Sequence, residues 1–379
     1  MYKKNYKIGI LGGGQLGRML IQSCIDYNII THVMDPDPNA PCSKICHEFF
    51  NESFQDYDAV VYFGKKVDVL TIEIENVNVK ALFELQNRGI KVYPQPEIIQ
   101  LIQDKGEQKL FFQQKGYPTA PFRLLENPKL QLLDNQDFLP SFLKLRKGGY
   151  DGRGVQKIEK KPTDITQVFE EPSVLEKKVD CKKELAVIVA RNIQGQMAVY
   201  PAVETVFHPE HHLVDYLISP AAITENIAKQ AETIAMDLAV SLQLVGIMAV
   251  EFFLDTDEKL YINEIAPRPH NSGHQSVEAN DCSQFEMLIR AISGLPLGST
   301  KILYPSVMIN ILGEPGYTGT AVYQGLNEVL KLEGVYLHLY GKLITKPYRK
   351  MGHITVTDTS LIKAIEKAMS IKNILKVIT

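Results

Sequence analysis

The sequence lacks the features that mark membrane and exported proteins. No stretch of its 379 residues approaches the ~20 consecutive apolar residues of a membrane span, and the most apolar segment, 242–254, is interrupted by Gln243 and Glu251. The polar first residues run directly into a short apolar strand pattern, which is not the pattern of a signal peptide. We therefore expect neither a membrane partner nor an N-terminal signal peptide.

The chain carries little net charge and few cysteines. The formal net charge of −3 gives no broad attraction to nucleic acid, so we expect no nucleic-acid partner. Five cysteines, an odd number spread along the chain, fit reduced thiols in a cytoplasm. Cys42, Cys46 and His47 lie close together, but no second Cys/His pair completes a metal site. The sequence therefore favours incidental thiols and a cytoplasmic protein that acts on small molecules.

The order of strand and helix patterns changes twice along the chain. In residues 1–103, apolar strand patterns alternate with helical ones, which predicts a parallel sheet with helical crossovers. In residues 104–295 the strands come in hairpin-like pairs, which is typical of an α+β domain. Residues 296–379 contain short strands and a closing helix, and a Gly-Leu-Pro-Leu-Gly segment precedes them. We therefore expect three domains that combine α/β and α+β structure.

A glycine-rich loop follows the first predicted strand. Gly12, Gly14 and Gly17 have the G-x-G-x-x-G spacing of dinucleotide-binding loops, and Asp35 follows the next strand. The spacing indicates only that backbone amides at a helix N-terminus can approach an anion closely. A nicotinamide or flavin, another phosphate-bearing ligand and a purely structural turn all remain open.

A second glycine-rich loop lies between two predicted strands, in residues 144–154. Four glycines in seven residues would let the loop fold over phosphates, and Lys144, Arg146, Lys147 and Arg153 add positive charge. It is not a Walker A loop, because no Gly-Lys-Ser/Thr follows. The alternative is a flexible, solvated hairpin, but the number of cations favours phosphate binding.

Two glutamates lie in adjacent apolar strand patterns. A four-residue turn between the strands would pair Glu251 with Ile262 and place Glu264 on the same face, within reach of one shared cation. A five-residue loop would instead place the glutamates on opposite faces. Asn263 adds a further oxygen, and oxygen ligands suit Mg²⁺. The alternative is that one glutamate pairs with an arginine such as Arg268.

Two polar segments follow the glutamates. The loop 266–274 concentrates Arg, His, Asn and Ser residues between prolines, which is typical of a preorganised polar site. Lys342, Arg349 and Lys350 form a cationic cluster nearer the C-terminus. A short turn at 344–348 would bring Lys342 and Arg349 together, where they could hold a phosphate.

Together these residues resemble the ATP-grasp superfamily, and nearly the whole chain resembles its N5-carboxyaminoimidazole ribonucleotide synthetase family. The resemblance rests on the motifs Gly-Gly-Gly-Gln-Leu-Gly-Arg-Met (12–19), Gly-Gly-Tyr-Asp-Gly-Arg-Gly (148–154), Asn-Glu-Ile-Ala-Pro-Arg-Pro-His-Asn-Ser-Gly-His (263–274) and Arg-Lys-Met-Gly-His (349–353). It implies an ATP-grasp fold with an N-terminal Rossmann-like pre-ATP-grasp domain and a small C-terminal domain.

The resemblance implies a ligase that joins bicarbonate to the amine of 5-aminoimidazole ribonucleotide while ATP becomes ADP and phosphate, in purine biosynthesis. ATP and Mg²⁺ (with Mn²⁺ as a substitute) are the expected cofactors, and a homodimer is the expected assembly. A related ligase could use formate with glycinamide ribonucleotide, or biotin as the acceptor. A nicotinamide-dependent oxidoreductase would rest on the first glycine loop alone, and a pure ligand-binding protein is a weaker alternative.

The resemblance also implies roles for individual residues. Lys105 and Lys144 would contact phosphates, the segment from Glu176 to Val179 would receive adenine, and Glu184 would hold the ribose hydroxyls. Lys105 replaces the arginine common there, and Phe207 replaces a frequent histidine. The predicted ATP-binding residues are Lys105, Lys144, Gly149, Tyr150, Asp151, Gly152, Arg153, Gly154, Glu176, Lys177, Lys178, Val179, Glu184, Asn263 and Glu264. The predicted substrate-binding residues are Gln15, Leu16, Glu75, Tyr150, Arg153, His270, Asn271, Ser272, Lys342, Arg349 and Lys350. Tyr150, Arg153 and Arg268 are the predicted catalytic residues, and Glu251 and Glu264 the predicted metal ligands.

Overall fold

The computed structural model of the protein describes residues 5–149, 154–159, 165–207 and 214–379. Four predicted site residues lie outside these ranges, namely Tyr150, Asp151, Gly152 and Arg153. Within the ranges, no helix has both the length and the apolar character that crossing a bilayer requires.

The N-terminal part is a parallel sheet with helical crossovers. Its elements are β1 (Lys7–Leu11), α1 (Gln15–Asp26), β2 (Ile30–Met34), β3 (Glu48–Phe50), α2 (Tyr57–Gly64), β4 (Val69–Ile72), α3 (Val79–Asn87), β5 (Lys91–Val92) and α4 (Pro96–Ile102). The strand order is β3-β2-β1-β4-β5, and every neighbouring pair is parallel. The predicted parallel sheet is therefore confirmed. Ile8, Ile10 and Leu11 of β1 are fully buried, as strands of parallel sheets usually are.

The central part contains two antiparallel sheets. Its elements are α5 (Lys105–Gln114), β6 (Phe122–Leu125), α6 (Pro128–Gln131), β7 (Ser141–Leu145), β8 (Val155–Ile158), β9 (Ser173–Lys177), β10 (Cys181–Arg191), β11 (Met197–Val199), β12 (Val203–Phe207), β13 (Val214–Ser219), α7 (Glu225–Ser241), β14 (Gly246–Asp255), β15 (Leu260–Ala266), α8 (Ser276–Ala279) and α9 (Gln284–Ser293). The small sheet has the order β6-β9-β7-β8. The predicted hairpin-like pairing of strands is confirmed by the pairs β7–β8, β10–β11 and β14–β15.

The C-terminal part extends the large sheet of the central part. Its elements are β16 (Ser306–Leu312), β17 (Gly319–Thr320), β18 (Val322–Gln324), α10 (Leu326–Val329), β19 (Val335–Leu339), β20 (Ile344–Thr345), β21 (Lys350–Thr357), α11 (Leu361–Ile374) and β22 (Lys376–Ile378). The large sheet runs β15-β14-β10-β12-β13-β16-β21-β19, with β11 paired to β10. Backbone hydrogen bonds between β13 and β16 therefore join the two parts across the boundary expected from the sequence.

Candidate active site

A cleft between the small and large sheets is bridged by polar side chains. Lys144 on β7 donates through Nζ to Glu176 Oε1 on β9 at 2.6 Å. The same ammonium donates to Asn263 Oδ1 on β15 at 3.0 Å. Because β7 and β9 belong to the small sheet and β15 to the large one, these groups face the space between the sheets.

Glu176 is the anionic centre of this cleft. Its side chain is 2% exposed and forms ion pairs with Lys109 and Lys144, whose side chains are 5% and 15% exposed. Burial opposes the charge on Glu176, but the two lysines hold the pKa of this carboxyl below its ordinary value. The carboxylate is therefore committed to the lysines, so that only the backbone of Glu176 is left to meet an adenine ring.

Helix α5 places two lysines one turn apart. The Asp104 carboxylate caps the helix by accepting from Gly106 N at 2.9 Å, and Arg146 Nε donates to the same oxygen at 2.8 Å. With the helix start fixed in this way, Lys105 and Lys109 lie on one face, four residues apart. Sequence reasoning missed Lys109, although its spacing from Lys105 was a usable signal.

The two glutamates of the large sheet are brought together by a β-bulge. Leu254 pairs with Leu260, so five residues separate the paired positions. Of the two alternatives left open by the sequence, the five-residue loop is the one observed, and Glu251 does not pair with Ile262. A five-residue loop alone would place the glutamates on opposite faces. The bulge sets Glu251 opposite both Asn263 and Glu264, which returns all three side chains to the cleft.

Each glutamate of the pair has a cationic or hydrogen-bonding neighbour. Glu264 Oε2 lies 2.5 Å from Lys105 Nζ, and Glu251 Oε1 lies 3.1 Å from His270 Nε2. Asn263 Nδ2 lies 3.3 Å from Glu251 Oε2. Lys105 lowers the pKa of Glu264 to about 2, so this carboxylate is ionised throughout the neutral range.

Arg268, a predicted catalytic residue, does not pair with either of these glutamates. Its Nε lies 2.6 Å from Glu75 Oε1, on the segment that follows β4. Burial opposes the charge, but Glu75 and Glu73 raise the pKa of Arg268 above its ordinary value. The guanidinium is therefore a fixed positive charge that links the polar loop after β15 to the N-terminal sheet.

Glu184 on β10 lies in the same cleft. Burial raises the pKa of Glu184 to about 7, and the negative charge of Glu251 adds to the shift. Lys144 acts in the opposite direction. Near neutral pH, Glu184 can therefore either accept or donate a hydrogen bond, which suits the predicted contact with a ribose hydroxyl.

The other predicted ATP-binding residues lie at the rim of the cleft. Lys177 ends β9 and donates through Nζ to a backbone carbonyl 3.1 Å away. Lys178 is exposed and Val179 is half-buried. Gly149 and Gly154 flank the four loop residues that lie outside the described ranges.

The first glycine-rich loop holds a carboxylate of the protein itself. Gly14 N and Gly17 N donate to the two oxygens of Glu73 at 3.1 and 3.3 Å. Gly12 has φ +98°, and a Cβ at this position would lie 2.6 Å from Glu73 Cγ. Glu73 thus caps α1, and it takes up the amides that a dinucleotide phosphate would need. Sequence reasoning missed Glu73, which stands two residues before the predicted site residue Glu75.

Three loops that carry predicted ribonucleotide contacts converge. Lys342 Nζ donates to Gln15 Oε1 at the start of α1, at 2.9 Å. The same ammonium donates to the backbone oxygen of Lys350 at 2.8 Å. Arg349 instead donates through its guanidinium to the backbone oxygen of Ile344 at 2.7 Å. The Lys342 and Arg349 side chains are therefore anchored at different carbonyls.

The loop 270–272 offers hydrogen-bonding groups that are not yet used within the described part of the chain. His270 Nδ1 lies 2.8 Å from Ser272 Oγ. Both polar atoms of the Asn271 side chain are buried without a hydrogen-bond partner among the described residues. Buried amides normally have partners, so Asn271 is suited to bind a ligand. The predicted substrate residue Leu16 has its side chain in the core, which leaves only its backbone to face a ligand.

The bulge supplies a set of oxygen ligands. Among the described residues, no group of three or more His, Cys, Asp or Glu side chains is placed to hold a metal ion. Glu251, Glu264 and the amide of Asn263 nevertheless meet at one point of the large sheet. Two carboxylates with room for ligand oxygens fit Mg²⁺, which is commonly bound through one or two carboxylates and the phosphates of a nucleotide.

Two sheets that enclose a cleft, with lysines on one side and paired glutamates on the other, define an ATP-grasp enzyme. Three family models match the chain in order. The ribonucleotide synthetase preATP-grasp domain matches residues 5–103, the ATP-grasp domain residues 110–285, and the phosphoribosylaminoimidazole carboxylase C-terminal domain residues 306–367.

Individual relatives narrow the class further. The N5-carboxyaminoimidazole ribonucleotide synthase of Bacillus subtilis is 36% identical over 92% of this chain and 90% of its own length. The N5-carboxyaminoimidazole ribonucleotide synthetase of Thermotoga maritima has a crystal structure with a TM-score of 0.91 at 42% identity, covering 99% of both chains. The chain belongs to the N5-carboxyaminoimidazole ribonucleotide synthetase family.

Two further relatives are informative, one for the ligands in its crystal structure and the other for its greater length. The synthase of Aspergillus clavatus, solved in complex with ADP and 5-aminoimidazole ribonucleotide, has a TM-score of 0.88 at 33% identity over 98% of both chains. The phosphoribosylaminoimidazole carboxylase of Ogataea methanolica is 38% identical over 93% of this chain. This chain spans 67% of that carboxylase, so only part of the longer protein is matched.

Proposed function

We propose that the chain catalyses the ATP-dependent carboxylation of 5-aminoimidazole ribonucleotide to N5-carboxyaminoimidazole ribonucleotide in purine biosynthesis, with release of ADP and phosphate. The observation that carries the proposal is the cleft in which Lys105 and Lys144 lie beside the Glu251 and Glu264 carboxylates. The crystal structure of the Aspergillus clavatus relative with ADP and 5-aminoimidazole ribonucleotide supports the choice of substrates.

The cleft would hold ATP through charge on both of its walls. Lys105 and Lys144 would contact the phosphates, and the buried Glu176 fixes the position of Lys144. Glu251 and Glu264, with Asn263, would hold Mg²⁺, or Mn²⁺ in its place. When bound, this ion supplies positive charge that offsets the negative charge on the phosphates.

The chemistry follows from the weakness of bicarbonate as an electrophile. A bicarbonate oxygen attacks the γ-phosphorus, the bond to the ADP oxygen breaks, and carboxyphosphate forms. The ribonucleotide amine then takes the carboxyl group, directly or as released CO₂, and phosphate leaves. We assign Arg268 to bicarbonate, because its guanidinium is fixed by Glu75 and can bind an oxyanion through two donors. Tyr150 and Arg153 remain predicted catalytic residues on the second glycine loop.

The converging loops would bind the ribonucleotide. Lys342, Lys350 and Arg349 supply positive charge for its 5′-phosphate, and Asn271 supplies a buried amide. The position of Lys342 depends on Gln15 of the N-terminal part. A site assembled from three parts of the chain therefore holds the acceptor amine near the ATP cleft.

Three broader expectations belong to the same proposal. We propose domain boundaries at 1–103, 104–295 and 296–379, which lie close to the limits of the three matching family models. We also propose a homodimer and a cytoplasmic location, which rest on the resemblance and on the reduced cysteines. Sedimentation of the purified protein would test the dimer.

ADP release by the purified protein tests the proposed function. With ATP and Mg²⁺, we expect ADP to accumulate only when bicarbonate and 5-aminoimidazole ribonucleotide are both present. Formate with glycinamide ribonucleotide serves as the control pair, because it represents the related ligase. Faster ADP release with the control pair would reject the proposed substrates while leaving the ATP-grasp chemistry in place.

A further inference from the structure

Two motifs of the substrate loops end in histidines that meet inside the protein. His274 follows Asn271 by three residues, and His353 follows Lys350 by three residues. Both histidines are 0% exposed, and their rings stack with centroids 4.6 Å apart at 27°. None of the roles assigned above uses either ring, although each lies directly behind a loop that would bind the ribonucleotide.

The stack continues on both sides into a column of five groups. Phe285 of α9 stacks on His274 at 6.0 Å. His338 of β19 stacks on His353 at 4.5 Å and 5°. His338 Nε2 in turn lies 2.6 Å from Glu278 Oε1 on α8. We call this series, Phe285–His274–His353–His338–Glu278, the histidine column.

The histidine column links the central part to the C-terminal part through one short segment of the chain, residues 274–278. His338 and His353 are directly opposed in the β19–β21 pair, so strand register alone brings these two rings together. The segment 274–278 then contacts both rings of the pair, with His274 stacked on His353 and Glu278 bonded to His338. The central part thereby packs against β19, the strand at the edge of the large sheet.

Hydrogen bonds hold the residues on both sides of the stacked rings in place. Gln284 Oε1 accepts from His270 N at 2.8 Å, and its Nε2 donates to the carbonyl of the same residue at 2.7 Å. Tyr340 OH lies 2.9 Å from His353 Nδ1. These bonds fix the His270–His274 loop on one side and the end of β19 on the other, so that the stack sets the distance between the two loops.

Both inner rings are uncharged at neutral pH. Burial lowers the pKa of His274 and His353 well below the ordinary value, and the nearby cations Lys350 and Arg268 lower the pKa of His274 further. Stacking of neutral rings relies on shape and contact area rather than on charge. A phenylalanine ring can therefore replace the stacking contacts of either inner imidazole, although at position 353 it loses the hydrogen bond with Tyr340 OH.

We propose that His274 and His353 are positioning residues, whose stacked rings hold the 270–272 loop and the 342–350 segment at the spacing that the ribonucleotide requires. The inference rests on the proposed function, because it concerns the same acceptor site. ATP would be held by the Lys105 and Lys144 side chains, neither of which is part of the column, so the column should affect the ribonucleotide and leave ATP binding unchanged.

The test compares His353→Ala with His353→Phe. Losing one hydrogen bond to a charged group weakens binding by about 10- to 150-fold, so for His353→Ala we expect an increase of that size in KM for the ribonucleotide. KM for ATP should stay within about twofold of the wild-type value. His353→Phe restores an aromatic ring to the stack, so its KM for the ribonucleotide should lie much closer to the wild-type value than that of His353→Ala. Both substitutions remove the same contact between the two rings. The double variant His274→Ala/His353→Ala should therefore have a KM for the ribonucleotide only slightly higher than that of either single variant.

Control measurements separate positioning from loss of fold. Tyr336→Ala removes an aromatic side chain from the same strand, β19, at an exposed position outside the column, and should leave both KM values unchanged. Thermal unfolding of each variant shows whether the Ala variant is folded. Direct binding of 5-aminoimidazole ribonucleotide, measured by calorimetry without ATP, should follow the KM values.

Two results would overturn the inference in different ways. If wild-type protein binds the ribonucleotide and His353→Phe is as impaired as His353→Ala, or KM for ATP rises equally, the stack does not position the acceptor loops. If wild-type protein neither binds the ribonucleotide nor responds to it, the proposed function fails, and this inference fails with it.

Discussion

Replacing Glu176 with glutamine removes the shared partner of two lysines in the cleft. Lys109 would keep Thr119 Oγ1 at 2.7 Å and the Ile262 carbonyl at 3.4 Å, but no negative group would touch it in the described part of the cleft. Lys144 is more exposed and keeps Asn263 Oδ1 at 3.0 Å. We therefore expect most of the energetic cost to arise at Lys109.

The size of the effect follows from burial. The Lys109 side chain is 5% exposed, and breaking a buried ion pair by removing one partner costs about 3–5 kcal/mol, because a charge is left without compensation. Whole domains have unfolding free energies of about 5–15 kcal/mol, so this loss is large. KM for ATP should also rise, since Lys144 loses the group that fixes its position.

The unfolding free energies of the wild type and of Glu176→Gln should depend on pH in different ways. In the wild type the pKa of Glu176 is lowered, so its contribution is present above the unfolded pKa of about 4.3 and is lost as the pH falls through the folded value. Burial already lowers the pKa of Lys109 in the wild type, and Glu176 is the main group that opposes this shift. In Glu176→Gln only the weaker effect of Glu264 still opposes it, so the pKa of Lys109 should fall further. The pH range in which the unfolded chain binds more protons than the folded one then widens, and across it the unfolding free energy should rise with pH towards about 10, by up to about 1.4 kcal/mol per pH unit.

Urea denaturation followed by circular dichroism measures both quantities, since the chain has no tryptophan to report by fluorescence. Glu170→Gln is the matched control, because Glu170 pairs with Lys129 at the surface and should leave the denaturation midpoint unchanged. An unfolding free energy for Glu176→Gln close to that of the control, with the same pH dependence as the wild type, would refute the assigned role of Glu176.

Three further predictions concern other parts of the site. Glu251→Gln and Glu264→Gln should each abolish ADP formation without unfolding the protein, and near-normal turnover at ordinary Mg²⁺ would reject them as metal ligands. Equilibrium dialysis should detect no NAD or NADP, because Glu73 takes up the loop amides; micromolar binding would restore the dinucleotide hypothesis. Arg349→Ala should raise KM for the ribonucleotide roughly 10- to 150-fold, as expected for losing a charge-assisted hydrogen bond of about 1.5–3 kcal/mol, while KM for ATP stays constant. The opposite pattern would place Arg349 in the ATP site.

The sequence predicted those features that depend on local patterns. Alternating strand and helix signals in the N-terminal part are sufficient to indicate a parallel sheet, because each crossover helix needs its own run of residues. The hairpin pairs β7–β8, β10–β11 and β14–β15 were also foreseen, since paired strand patterns and turn residues lie close together along the chain. The fold class and family were both within reach of such patterns and motifs.

Register and long-range contacts could not be derived in this way. The bulge opposite Glu251 depends on how β15 packs, and one residue more or less in the turn reverses the face of every side chain. Glu73 was missed because its partners, the amides of the first glycine loop, lie nearly 60 residues away in the chain. The contact between His274 and His353 likewise exists only once the C-terminal strands join the large sheet.

Oxygen-18 transfer from labelled bicarbonate to phosphate shows directly whether bicarbonate is the group that attacks ATP. If bicarbonate attacks the γ-phosphorus, the phosphate released in the presence of ATP and 5-aminoimidazole ribonucleotide must contain one bicarbonate oxygen. We expect one labelled oxygen per phosphate, together with N5-carboxyaminoimidazole ribonucleotide in equal amount. Unlabelled phosphate, whose fourth oxygen comes from water, would show that water attacks ATP, and would contradict the proposed ligase.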